Sequence, residues 1–374
     1  MKILFVNLPY HGHVVPTIGL VRELIQMGCR VSYLMPYGWE TRIAESGAAF
    51  CGYQNHRQLA EQIKNAYAAA DRILDDFDLL VYEQFFFLGK ALAEKHGKPA
   101  VRIFTAPATN HALMEQFTAK GPMASFRHKW LSRAFTRDIA KDIPLKTDNW
   151  LDEIIENPPK LNLVYTLRQF QPYAEAFPPD RFLFLGPSVY PRQEAPFSFE
   201  KKRPVIYISL GTVLKGSRSF YQACFDAFGS EDVDVILSTK QKFNAKKVPA
   251  NFHVFPSVPQ VQVLELADVF VTHGGMNSVM ESLTAGTPMV VVPFVSDQPV
   301  NARQVESMGA GHMLSPANIR KEQLKNAVFS LLSDNDTKNT MSEIRQTVRS
   351  SPGNKGGAAA IMEYYDETDQ TNLF

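Results

Sequence analysis

The sequence predicts an α/β protein made of two doubly wound parallel-sheet domains in tandem. Short apolar runs rich in Val, Ile and Phe alternate with helix-length segments almost throughout the chain. That alternation stops at a proline-rich stretch and then restarts. The 374 residues amount to roughly two domains at about 150 residues each. With 45% apolar and 21% charged residues the composition is that of a folded chain, not a disordered or coiled-coil one.

The first series of apolar runs is Ile3–Val6, Val31–Met35, Leu79–Tyr82, Ala100–Phe104, Leu161–Tyr165 and Phe182–Leu185. Runs of this kind suit strands buried on both faces of a parallel sheet. Between them Pro16–Met27 and Phe87–His96 have helix length. Thr105–Lys160 is long, aromatic and basic around Phe126-Arg127-His128-Lys129-Trp130, and it reads as helical without a strand. It is either a wall for a second substrate or an inserted helical cap. Phe85, Phe86, Phe87 and Phe117 are either apolar walls of that site or core.

Pro187–Pro204 carries prolines at 187, 191, 196 and 204 with charged residues and no periodicity, which reads as a linker. The second series follows as Val205–Leu210, Val233–Leu237, Val254–Phe255, Val269–Thr272 and Met289–Pro293, with helices at Asn277–Ala285 and Pro299–Met308. A last helix is expected at Ala358–Asp366. The expected division is 1–190, 191–355 and a closing helix in 356–374. Loops at the carboxyl ends of both sheets are expected to border a cleft between the domains.

Charge and cysteine usage exclude several classes. Lys and Arg number 39 against 38 Asp and Glu, a net charge of +1, without the basic stripe of a nucleic-acid binder. Cys29, Cys51 and Cys224 are too dispersed for a disulfide framework or a structural zinc site, and buried free thiols are expected. The longest apolar run, Met289–Val295, has seven residues. A membrane helix needs about 20, and the N-terminal run Ile3–Val6 has four residues where a secretory signal needs an apolar core of about 7–15, so a cytoplasmic location is expected. Asp232-Val-Asp234 spells a metal-binding Asp-x-Asp, but it leads into a strand and is expected to be a solvated loop pair. Neither a phosphate-binding P-loop nor a GxGxxG fingerprint is present, which removes support for ATPase and dehydrogenase activity.

The chemistry concentrates after the strand Val269–Thr272. His273-Gly274-Gly275-Met276-Asn277-Ser278 reads as a tight turn into a helix that Gly286 ends. Two glycines let backbone approach a ligand, Asn277 or Ser278 is positioned to cap, and the helix N-terminus favours an anion such as a diphosphate. His273 and Ser278 add side-chain donors, and Glu281 is suited to accept from ribose hydroxyls. Near the start, Gly12-His13-Val14-Val15-Pro16 places His13 at a strand end and a helix N-terminus, with Pro16 suited to the first turn. The dipole there disfavours imidazolium, and a neutral imidazole can accept a hydroxyl proton.

From Ser257-Val258-Pro259-Gln260 through His273-Gly-Gly275-Met-Asn277-Ser278-Val-Met-Glu281, Gly286, Pro288 and Asp297-Gln298, the chain resembles the donor signature of the UDP-glycosyltransferase superfamily. That superfamily includes plant secondary-product enzymes and bacterial macrolide and natural-product glycosyltransferases. The resemblance extends through the strand order, the Gly12-His13 motif and the C-terminal helix. It implies the GT-B fold of two Rossmann-like domains, with the last helix crossing back to the first domain. It also implies an inverting, metal-independent hexosyltransferase without a cofactor. A UDP-sugar, glucose foremost, would be co-substrate to a small-molecule acceptor, and the protein would be a monomer or homodimer.

The resemblance assigns diphosphate to His273 and Ser278, with Asn277 and Gly275 beside them, and ribose to Glu281. It assigns uracil to Gln260 and the Val258 backbone, and sugar hydroxyls to Asp297 and Gln298. Thr212, in Ser209-Leu-Gly-Thr212, matches a loop near the phosphates. His13 would be the general base, next to Gly12. Glu83 stands where the family has an Asp, and Thr105 matches a position close to the donor sugar or phosphate. The family's uracil-stacking aromatic is Ser257 here, and Phe255 is the one nearby substitute. Two other classes remain open: a nucleotide-sugar binder without catalysis, and a sugar-nucleotide epimerase on the same fold.

Overall fold

The computed structural model describes residues 1–117, 122–188, 194–211 and 218–371, without the side chains of 117–128, 318, 370 and 371. Thr212 lies outside the described residues. The chain forms two compact units: Met1–Tyr190 with Ser351–Phe374, and Pro191–Ser350.

The first unit holds a seven-stranded parallel sheet. Its strands are β1 (Lys2–Val6), β2 (Arg30–Pro36), β3 (Ala49–Tyr53), β4 (Leu79–Glu83), β5 (Ala100–Phe104), β6 (Leu161–Val164) and β7 (Phe182–Phe184). Their order is β3-β2-β1-β4-β5-β6-β7. Side chains alternate across the sheet. Leu4 and Val6 join one core with Leu80, Phe86 and Phe104, while Ile3 and Phe5 join the other with Val14, Ile18 and Val21. Both faces are therefore covered, as the uninterrupted apolar runs require.

The second unit holds a six-stranded parallel sheet. Its strands are β8 (Val205–Ser209), β9 (Asp234–Ser238), β10 (Phe252–Phe255), β11 (Val269–Thr272), β12 (Met289–Val291) and β13 (Gly311–Met313). The order is β10-β9-β8-β11-β12-β13. In each sheet the strand order reverses once, between β1 and β4 and between β8 and β11. Ligands of open α/β sheets bind at the carboxyl ends of strands beside such a reversal.

Several local details differ from the sequence reading. Strands β3 and β13 were not expected. The helix after β1 spans His11–Gln26, so Pro16 lies inside it and not in its first turn. The helix after β11 spans Met276–Ala285 with Gly275 as N-cap, which places Asn277 and Ser278 within the first turn instead of capping it. Asp234 is buried and bonds Arg203 at 2.7 Å and His253 at 3.2 Å, so it is a structural ion-pair residue and not half of a solvated pair. Cys29 and Cys224 are buried, Cys51 is half-buried, and all three are free thiols. Among the described residues no helix is long and apolar enough to cross a membrane.

The closing helix, Gly353–Thr371, belongs to the first unit and begins three residues before the expected boundary at 356. Ala358 and Ile361 enter the core beside the helix His11–Gln26. Asn354 anchors its start, accepting from Tyr165 Oη at 3.0 Å and Ser188 Oγ at 3.1 Å.

Candidate active site

At the strand reversal of the first sheet, the first turn of helix His11–Gln26 faces the ends of β4 and β5. His13 Nδ1 lies 2.9 Å from Glu83 Oε1, at the end of β4. Thr105, directly after β5, places Oγ1 3.0 Å from His13 Nδ1 and 3.4 Å from Glu83 Oε1. The Glu83 side chain is 0% exposed and that of His13 is 22% exposed. A buried carboxylate requires donors. Glu83 has the His13 ring, the Thr105 hydroxyl and the Phe85 backbone N–H, which reaches Oε2 at 3.0 Å. With Nδ1–H turned to the carboxylate, the ring keeps its lone pair on Nε2, the tautomer a base needs.

The support beneath is a buried polar network. Asn7 Nδ2 donates to the His13 carbonyl at 3.0 Å and to Tyr33 Oη at 3.1 Å, and Tyr33 meets Thr17 at 2.7 Å. Tyr10 and Phe85 flank the imidazole at 5.6 and 5.1 Å between ring centroids. Of the phenylalanine triplet, Phe86 and Phe87 are core and Phe85 is half-buried beside His13. Gly12 has open space around it, so sterics alone do not require glycine there. The segment after Thr105 is helical at His111–Phe117, Pro122–Ile139 and Trp150–Glu156.

At the reversal of the second sheet, β11 leads into His273-Gly274-Gly275. Gly274 has φ +81°, and a Cβ there would fall 2.5 Å from Val291 Cγ1. The cap residue Gly275 makes no side-chain bond, so the N–H groups of Met276, Asn277 and Ser278 point out of the helix without an intrahelical acceptor. His273 packs on Gly211 (φ +73°), where a Cβ would fall 2.7 Å from its Cε1. Burial pushes the His273 imidazole below the ordinary histidine value, while the Asp297 charge and the neighbouring Ser209 backbone pull the other way. Its Nδ1 is buried and has no hydrogen-bond partner among the described residues.

Gln260, expected at the base, bonds to three side chains within the protein. Its Oε1 accepts from Tyr207 Oη at 3.1 Å, and its Nε2 donates to Ser278 Oγ at 3.1 Å and Glu281 Oε2 at 2.8 Å. Because Ser278 Oγ accepts from Gln260, its own hydroxyl proton is directed elsewhere. Ser257 is exposed and Val258 half-buried. Phe255 packs edge-on against Phe197 at 5.5 Å.

Asp297 and Gln298 begin the helix Gln298–Ser307. Gln298 is buried, and its Oε1 accepts from the Phe294 and Val295 backbone N–H groups at 2.8 and 3.0 Å. Those bonds hold Ser296 at φ +59°, a strained conformation for a non-glycine residue, immediately before Asp297. Any hydroxyl that Gln298 meets is therefore met through its amide N–H groups. Gly211, Tyr207, Asn7 and Asn301 are parts of these sites that the sequence reading missed. Gly211, in Ser209-Leu-Gly, sat inside a segment matched to the phosphates, while Tyr207 and Asn301 lay in a strand and a helix expected only as structure.

Comparison with known proteins gives the family and the fold. The family model described as UDP-glucoronosyl and UDP-glucosyl transferase matches residues 195–352. The chain is 32% identical to the NDP-glycosyltransferase YjiC of Bacillus licheniformis, over 96% of each chain. It is 26% identical to the oleandomycin glycosyltransferase of Streptomyces antibioticus, over 94% of this chain and 88% of that one. Among solved structures, the glycotransferase of kitacinnamycin superposes with a TM-score of 0.84 at 26% identity, covering 97% of this chain and 98% of that one. The calicheamicin glycosyltransferase CalG4 does so at 0.82 and 27%, covering 98% of each. The chain belongs to the UDP-glycosyltransferase family and is a hexosyltransferase of the GT-B fold.

Proposed function

We propose that this protein transfers a hexose, glucose foremost, from a UDP-sugar to a hydroxyl group of a small-molecule acceptor, with inversion at the anomeric carbon. The observation that supports it most is the buried His13–Glu83 contact at 2.9 Å, with Thr105 beside it. In this reading the acceptor hydroxyl gives its proton to His13 Nε2. Its oxygen attacks the anomeric carbon, and the bond from that carbon to the diphosphate breaks as UDP leaves with the electron pair. Glu83 stabilises the imidazolium that forms.

The first unit binds the acceptor and the second binds the donor. His273, the Ser278 hydroxyl and the first-turn N–H groups at Met276, Asn277 and Ser278 stabilise the charge on the departing diphosphate. Glu281 accepts from the ribose, and Asp297 with Gln298 holds the hexose hydroxyls. The UDP-sugar is a co-substrate, and a metal ion has no assigned part, so chelators are expected to leave the rate unchanged.

The test is incubation with UDP-glucose and a panel of phenols and hydroxylated polyketides, with the product read by mass spectrometry and by the coupling of its anomeric proton. A β-glucoside from the α-linked donor is expected. An α-glucoside, or UDP and free glucose alone, contradicts the proposal. A second reading, a nucleotide-sugar binder without transfer, draws on the exposed Ser257 and the internally bonded Gln260. It expects donor binding and no glycoside with any acceptor.

A further inference from the structure

Asn301 is fully buried in the helix Gln298–Ser307 and has no part in the chemistry above. Its amide nevertheless reaches both halves of the candidate donor site. Nδ2 donates to the Gly274 carbonyl at 2.9 Å and to Asp297 Oδ2 at 2.9 Å. The two N–H bonds of one amide are thus both used, each on an oxygen. The reversed amide would set Oδ1 against those two oxygens, so chemistry fixes its orientation.

That orientation has a drawback. Asn301 Oδ1 is buried and has no partner among the described residues. The amide leaves one acceptor of its own orphaned while its two N–H groups satisfy the Gly274 carbonyl and the Asp297 carboxylate. What the amide achieves is to hold two oxygens at a fixed separation.

Both tethered groups are otherwise constrained on their backbone side. Gly274 has φ +81° and no room for a Cβ, so the turn has little freedom to re-form. Asp297 follows the strained Ser296, and its carboxylate makes no capping bond to its own helix. Asn301 donates to one oxygen of that carboxylate and restrains it.

We propose that Asn301 is a positioning residue that ties the Asp297 carboxylate to the Gly274 turn, so that the sugar and the diphosphate of one donor are gripped in register. This rests on the transferase reading, in which Asp297 meets the hexose and the turn meets the diphosphate. UDP carries only the second of these groups and UDP-glucose carries both, which makes the pair a direct probe.

The experiment is calorimetric titration of the full-length protein with UDP and with UDP-glucose. It compares wild type, Asn301→Ala, Asn301→Ser, Asp297→Ala and the Asn301→Ala/Asp297→Ala double variant. Asn301→Ala is expected to weaken UDP-glucose about tenfold or more and UDP less than about threefold. Asn301→Ser keeps one donor, perturbs packing less and gives an intermediate loss. The double variant is expected to bind UDP-glucose no worse than Asp297→Ala alone, because both changes remove one linked contact. A merely structural role lowers the melting temperature of these variants and leaves the UDP-glucose to UDP ratio unchanged. That result, or multiplied losses in the double variant, overturns the proposal. Wild-type protein that binds neither ligand overturns the transferase reading itself, and this one with it.

Discussion

At the residue scale, His13, the proposed base, and the buried Glu83 form one device. Removing a general base typically costs about 10²–10⁴ in rate, and His13→Ala is expected to show that loss in kcat. Glu83→Gln can still accept from Nδ1–H but cannot offset the imidazolium charge. It is expected to retain the ring position and lose most of the turnover, measured as kcat with an unchanged donor affinity. His273 makes a pH prediction of definite sign. Its native pKa is lowered by burial, so the unfolded chain binds the proton more tightly. The associated stability is complete above about 6.5, the unfolded value, and is lost as pH falls towards the native value. A thermal-melt series from pH 7.5 to about 5 is expected to fall more steeply for wild type than for His273→Gln.

At the element scale, two turns make up the proposed donor site, and each has one substitution that singles it out. Gly274→Ala forces a left-handed backbone on alanine and drives its Cβ against Val291. A cost of about 1–3 kcal/mol is expected in chemical denaturation. Gln298→Leu removes the acceptor from two backbone N–H groups and frees the strained Ser296. A raised KM for the donor is expected, with little change in the rate of acceptor deprotonation.

The same elements show what was legible in the chain. Strands buried on both faces announce themselves as apolar runs, as at Val205–Ser209. Strand β3, Ala49–Tyr53, is an edge strand with mostly half-buried residues and a glycine, and β13 is only Gly311-His-Met, so neither leaves such a run. The start of helix His11–Gln26 was obscured because Pro16 reads as a first-turn residue. Glu83 was legible from register at a strand end. The bridging role of Gln260 was not, since whether an amide points at a ligand or at Tyr207 is decided by packing across β8. Asn301 was equally hidden, because a polar residue inside a helix reads as solvated until its burial is known.

At the scale of the whole molecule, the chain leaves the first unit, builds the second from Pro191–Ser350 and returns. Ile206, Ile208, Val271 and Leu324 belong to a core confined to the second unit. A fragment spanning residues 191–350 is therefore expected to fold and to bind UDP, checked by a ligand-induced rise in melting temperature. Truncation after Ser350 strips Ala358 and Ile361 from the first unit and removes the Asn354 bonds to Tyr165 and Ser188. That truncation is expected to lower the melting temperature of the first unit while leaving UDP binding intact. The central claim, that a hydroxyl is deprotonated by His13 for attack on a donor held by the second unit, is tested most directly by single-turnover transfer from UDP-glucose. Wild type and His13→Ala would be compared at saturating donor, with donor affinity measured in parallel. A rate reduced by about 10²–10⁴ with donor affinity unchanged is expected. Transfer by His13→Ala at the wild-type rate would contradict it.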